Sequence, residues 1–158
     1  MLGAIMFVSK ILLEILPNIH LLATFTTVYT VVFRKKALIP IYVFVLINGI
    51  WAGFAMWWLP YTYLWTVLWA VVMLLPRNMP PKVATVVYSG VCGLHGILYG
   101  VLYAPAQALM FGLNFKQMLL WIAAGFPWDV VHGLGNIAAG LLVLPLVSAI
   151  RKIPLQKQ

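Results

Sequence analysis

From Val83 to Tyr103 the chain reads VATVVYSGVCGLHGILYGVLY, a run of 21 residues with no Asp, Glu, Lys or Arg. An α-helix needs about 20 predominantly apolar residues to cross the ~30 Å hydrocarbon layer of a bilayer. The stretch therefore reads as a membrane span, and the composition around it agrees. Of the 158 residues, 65% are hydrophobic and 8% charged, against roughly 25% charged in soluble domains. The mean hydropathy is +1.05. The expected fold class is an all-α membrane protein, a single transmembrane domain over residues 1–158 built as a compact bundle of six transmembrane helices.

Outward from this run, five further apolar stretches complete the six: Leu2 to Leu16, Ile19 to Phe33, Leu38 to Trp58, Thr62 to Leu75, and Trp128 to Ile150. The segment Ala104 to Lys116 is less regular and is expected as a loop. An apolar piece, Gln117 to Gly125, follows it, and Pro127 is expected to break that piece from the last span. The first stretch lacks a basic leader and a small-residue cleavage site, so it reads as a retained helix rather than a signal peptide. Cys92 is the only cysteine, so no intramolecular disulfide can form.

The net charge of +8 is a statement about topology. Eight of the ten basic residues fall in three places: Arg34, Lys35 and Lys36; Arg77 and Lys82; and Arg151, Lys152 and Lys157. With six spans these places share one side, and by the positive-inside rule both termini are cytoplasmic. The opposite side carries Trp57, Trp58, Tyr61, Tyr63 and Trp65 around Pro60, an interfacial aromatic belt. The basic residues are thus assigned to anionic lipid head groups, not to nucleic acid.

Against this background the polar residues stand out. Asp129 is one of only two acidic residues, and Asp129, His132 and Asn136 lie three and then four residues apart, on one face of a helix. Ionisable groups in such a helix are costly and by default suggest binding. The alternative is that the trio caps the helix and ties it to a neighbour. On the expected topology His95, His20 and Asn18 lie in the same outer half, with Trp57 at the aromatic rim, so the sequence points to an outward-facing small-molecule pocket. Each has a plainer role open to it: His95 as a satisfied core histidine, the aromatic residues as interface anchors. Lys10 and Glu14, four residues apart, either pair with each other or reach a ligand. Gly49-xxx-Gly53, Gly96-xxx-Gly100 and Gly135-xxx-Ala139 are expected to pack helices closely. No nucleotide-binding loop, HExxH metal site or activated serine is present, so no catalytic residue, metal ligand or cofactor is assigned and the chain is not read as an enzyme.

Six short helices, basic loops on one side, and a last helix opening Asp129-xx-His132-xxx-Asn136 and ending Arg151-Lys152 resemble the S components of energy-coupling factor (ECF) transporters. Pro17-Asn18-Ile19-His20-Leu21, Arg34 to Pro40, Trp57-Trp58-Leu59-Pro60-Tyr61 and Leu94-His95-Gly96 look like a clostridial-type branch of that family. The resemblance implies a substrate-binding subunit in the bacterial plasma membrane. Such a subunit captures a vitamin-like micronutrient from outside and delivers it inward with a transmembrane coupling subunit and two ATPase subunits. It further implies that Asp129, His132 and Asn136 contact the solute, with His95, Asn18, His20 and Trp57 as further contacts and Ala104 to Lys116 as a lid. The outer aromatic residues favour a flat heterocyclic vitamin or precursor. The family's Ala-xxx-Ala docking pattern on the first helix is only partly matched, by Gly3-Ala4-xxx-Val8. The alternatives are a stand-alone secondary transporter and, further off, a metal-dependent membrane enzyme.

Overall fold

The computed structural model describes residues 1–16 and 18–153, and helices make up its architecture with no strand among them. In chain order they are α1 (Leu2–Leu12), α2 (Leu22–Phe33), α3 (Leu38–Ala52), α4 (Tyr61–Leu74), α5 (Pro81–Ile97), α6 (Tyr99–Phe111), α7 (Phe115–Gly140) and α8 (Val143–Lys152). Short 3₁₀ turns at Arg34–Ala37 and Met56–Trp58 link α2 to α3 and α3 to α4. Pro17, and Lys157 of the C-terminal basic group, lie outside the described residues.

The burial pattern runs opposite to that of a water-soluble bundle. Leu12, Ile39, Trp51, Val86, Leu109, Leu120 and Leu134 point outward and are exposed, whereas Thr24, Thr26, Thr27, Thr30, Asn48, Ser89 and Asn136 are buried. Polar groups inside and large apolar groups outside suit a bundle solvated by lipid. Two stretches are long and apolar enough to cross a membrane, Met56–Leu74 and Pro81–Phe111. A third candidate is α7 with α8, which meet at a 44° bend. The apolar core gathers Met6, Leu22, Val28, Tyr29, Ile41, Phe44, Leu68 and Val72.

Two sequence expectations are corrected here, and both concern proline. Ala104 to Lys116 is not a loop: α6 continues through Pro105 to Phe111, and only Gly112, Leu113 and Asn114 separate it from α7. Ala, Gln, Leu and Met around Pro105 are strong helix formers. The proline has no N–H for the carbonyl four residues before it, Val101 O, and the Tyr63 hydroxyl donates to the next carbonyl of that turn, Leu102 O, at 2.7 Å. Pro127 likewise sits inside a continuous α7 of 26 residues. In an apolar surrounding, unwinding a helix at a proline would strand several more backbone groups than the proline itself does. The break comes later, at Leu141 and Leu142.

Two ends also differ from expectation. The first span stops as a helix at Leu12, so Glu14 lies in the turn beyond it and not one helical turn above Lys10. The third span stops at Ala52, because Gly53 takes a φ of +87°, open to glycine at little cost. The rings of Phe54 and Trp58 then fold back over Gly49, and Trp58 Nε1 donates to Val45 O at 2.8 Å. Gly49 and Gly53 therefore serve this turn rather than a helix–helix contact.

Candidate functional site

The site is built on the contact of α5 and α6 with α7, the most extensive in the molecule. Small residues make the approach possible. A Cβ on Gly96 would lie 2.8 Å from Gly133 Cα, and one on Gly140 would lie 2.6 Å from Ser89 Cα. The pairing is antiparallel: Ser89 faces Gly140, Gly96 faces Gly133 and Asn136, and Gly100 faces Asp129. The backbones touch, so side chains are forced to the edges of the contact. There the α7 stripe Trp121, Gly125, Trp128, Asp129, His132 looks along the α6 stripe Tyr99, Tyr103, Gln107.

Between these stripes lies a cavity of about 400 Å³. Tyr99, Tyr103 and Gln107 form one wall, Trp121, Trp128, Asp129 and His132 another, and Tyr61, Asn18 and His20 close the rest. Asp129 is fixed at its edge because Oδ2 accepts the Gly100 N–H at 3.2 Å. Helix α5 gives way to α6 at Leu98, two residues earlier, and the carboxylate takes the amide at that joint. His132 packs edge-on against His20 (ring centroids 4.7 Å, 86°) and against Tyr99 (5.0 Å, 63°). Tyr103 and Trp121 lie nearly parallel at 5.9 Å and 20°, a stacked pair across the wall.

Of the residues singled out in the sequence, Asp129, His132, His20 and Asn18 meet in this cavity. Asn136 does not line it. It lies one turn deeper, almost wholly buried, with neither amide atom bonded. His95 is also buried beside the cavity, where its Nε2 stands 3.2 Å from Leu64 O and its ring lies between Trp65 and Tyr99. Trp57 stays at the rim, edge-on to Tyr61, with its carbonyl accepting from Tyr103 Oη at 3.3 Å. Lys10 and Glu14 line a separate cavity of about 150 Å³ that shares Asn18 and His20 with the main one.

Sequence reasoning missed Tyr99, Tyr103, Gln107, Trp121 and Trp128. A signal was present in the four-residue spacing of Tyr99, Tyr103 and Gln107, and again of Trp121, Gly125 and Asp129. Reading Ala104 to Lys116 as a loop and Pro127 as a break separated Gln107 and Trp121 from the stripes they belong to.

The arrangement is equipped for recognition. It offers one carboxylate, two imidazoles, two side-chain amides and several aromatic faces. The hydroxyls of Ser9 and Ser89 are engaged with the backbone carbonyls of Met6 and Ile137. Among the described residues, no group of three or more His, Cys, Asp or Glu side chains converges on a metal-sized site. His20, in the turn before α2, has its pKa pushed down to about 4 by burial and, secondarily, by the Lys10 charge. It therefore presents a neutral ring to the cavity at neutral pH.

Compared with known proteins, the chain matches no family model, no curated protein and no solved structure.

Proposed function

We propose that this chain is the solute-capturing membrane subunit of an importer of the ECF type, working as an S component. The cavity carries the reading: a chamber of about 400 Å³ walled by Tyr61, Tyr99, Tyr103, Trp121 and Trp128, with Asp129, His132, His20 and Asn18 converging on it. A volume in the range of about 300–1,000 Å³ and a few oriented polar groups among aromatic faces are the usual makings of a small-molecule site. Its occupant is a flat heterocycle that stacks on the rings and offers an N–H to the free oxygen of Asp129. The His20 and His132 rings and the Asn18 and Gln107 amides complete the hydrogen bonding.

In this reading the chain crosses the membrane six times, with both termini in the cytoplasm. The spans are α1, α2, α3, α4, α5 with α6, and α7 with α8. Gly100, opposite Asp129, lies about 28 Å along the helix from Pro81 at the basic end. With the basic end at the cytoplasmic face, the carboxylate of this reading lies close to the outer boundary of a ~30 Å hydrocarbon layer, within reach of solute from outside. The coupling subunit would dock on α1, whose Ala4, Ile5, Val8 and Leu12 line an open apolar groove. Two ATPase subunits would supply the energy.

The test is to purify the chain from cells grown in rich medium and identify the co-purifying small molecule by mass spectrometry. Transport of that molecule is then measured with and without co-expressed coupling and ATPase subunits. A nitrogen heterocycle that accumulates only with the ATPases supports the reading. Accumulation in vesicles containing this chain alone would make it a stand-alone porter.

A further inference from the structure

A second polar cavity lies at the opposite end of the bundle and belongs to none of this. It has a volume of about 250 Å³ and is lined by Val31, Arg34, Arg77, Asn78, Tyr88 and Arg151. Three arginines thus line one space, drawn from the end of α2, the α4–α5 loop and the last turn of α8. The chain has only two acidic side chains to neutralise them. Asp129 is held at Gly100, and Glu14 lies beside Asn18 and His20, at the other end.

Arg34 is held in place. Its carbonyl accepts the Trp69 Nε1–H at 3.1 Å, and its Nη2 donates to Met73 O at 2.8 Å, capping the end of α4. Its φ of +54° is unusual for a residue with a side chain, and such a conformation persists only where the surroundings fix it. The Arg34 Nε–H is buried and has no partner. A buried donor of a charged group left unpaired is costly, and an anion held by the same guanidinium would offset that cost.

We propose that this cavity binds a phosphate group, and that the head group of an anionic phospholipid supplies it. Guanidinium forks suit tetrahedral oxyanions, which accept from several arginines at once. The bundle's exposed apolar surface, Leu74 at the end of α4 among it, keeps it among lipids, whose head groups bring phosphate to this end. This goes beyond a general attraction between basic loops and anionic membranes, since it names one cavity and one bound lipid. It does not depend on the function of the aromatic chamber, nor on which side of the membrane this end faces.

The experiment is native mass spectrometry and thermal unfolding of the full chain in neutral detergent, titrated with phosphatidylglycerol, phosphatidylcholine or inorganic phosphate. The variants are Arg77→Gln/Arg151→Gln and, as a control removing the same two charges outside the cavity, Lys35→Gln/Lys36→Gln. One phosphatidylglycerol is expected to be retained in preference to phosphatidylcholine and to raise the unfolding temperature. The arginine variant should weaken it by about tenfold or more, the equivalent of one charge-assisted hydrogen bond, while the lysine variant changes it little. Equal losses in the two variants, or no preference for phosphatidylglycerol, would overturn the proposal. Stabilisation by inorganic phosphate alone would keep the phosphate site and overturn its assignment to lipid.

Discussion

Replacing Gly96 by alanine tests the frame on which the aromatic chamber is built. The new Cβ would sit 2.8 Å from Gly133 Cα and 2.9 Å from Gly133 N, both backbone atoms that cannot swing away. Ordinary contact begins near 3.4 Å, so α7 must retreat by about 0.6 Å. The Gly100–Asp129 bond, already 3.2 Å long, would then approach about 3.8 Å and be lost as a hydrogen bond. Gly90→Ala is the matched control, on the same helix with nothing within 4 Å of its Cβ. Both variants gain the same helix propensity, about 1 kcal/mol, so their difference isolates the overpacking, about 1–3 kcal/mol. At about 2–4 °C per kcal/mol for a chain of this size, Gly96→Ala should unfold on the order of 2–12 °C below Gly90→Ala in detergent. Fluorescence of the chamber tryptophans should report the same order. Equal unfolding temperatures would refute the close α5–α7 contact and, with it, the placement of Asp129.

Four further outcomes are expected. Asp129→Asn keeps an oxygen for the Gly100 N–H but removes the charge, so solute affinity should collapse while the unfolding temperature moves by no more than a few degrees; parallel losses would make Asp129 purely structural. Trp121→Ala removes one face of the Tyr103 stack, and at about 0.5–1.5 kcal/mol per aromatic pair isothermal titration should show affinity falling on the order of threefold to tenfold. Because the folded pKa of His20 lies near 4 against an ordinary 6.5, the unfolded chain takes up the proton first. Stability is then intact above pH 6.5 and declines as pH falls towards 4, a decline that His20→Gln should flatten in pH-dependent melts and that Lys10 and His132, its charged and titratable neighbours, will modulate. Finally, Cys92 is buried with its Sγ 3.3 Å from Thr27 Oγ1, so new cysteines at Lys35 and Met56 should give clean maleimide labelling from opposite sides of intact spheroplasts and inverted vesicles; labelling from the same side would refute the six-span topology.

How much of this was readable in the sequence depends on which force was in charge. The helical, apolar character followed from composition, and the common face of Asp129, His132 and Asn136 followed from helical spacing. What spacing could not show is that Asn136 falls behind the chamber while Asp129 borders it, a distinction set by the glycines of α5. Prolines misled for a physical reason. In water Pro105 and Pro127 would be strong helix breakers. Where no water competes for backbone groups, the helix persists through the proline, and at Pro105 the Tyr63 hydroxyl bonds a carbonyl of the same turn, Leu102 O. The aromatic wall was not assembled because Gln107 was placed in a loop and Trp121 in a piece cut off from Asp129 at Pro127, so neither stripe was read as one helix face.

That wall also sets a clock. A flexible loop over a pocket rearranges in nanoseconds to microseconds, whereas rigid helical elements swing on hinges in microseconds to milliseconds. The pliable points of α6 are its two ends: Leu98, and the turn at Gly112, whose φ is +65°. On the proposed function, solute should therefore enter at a rate governed by movement of α6 against the α5–α7 frame, and its association rate should level off at high concentration. Fast capture and long residence would then be tuned at Leu98 and Gly112, neither of which lines the chamber.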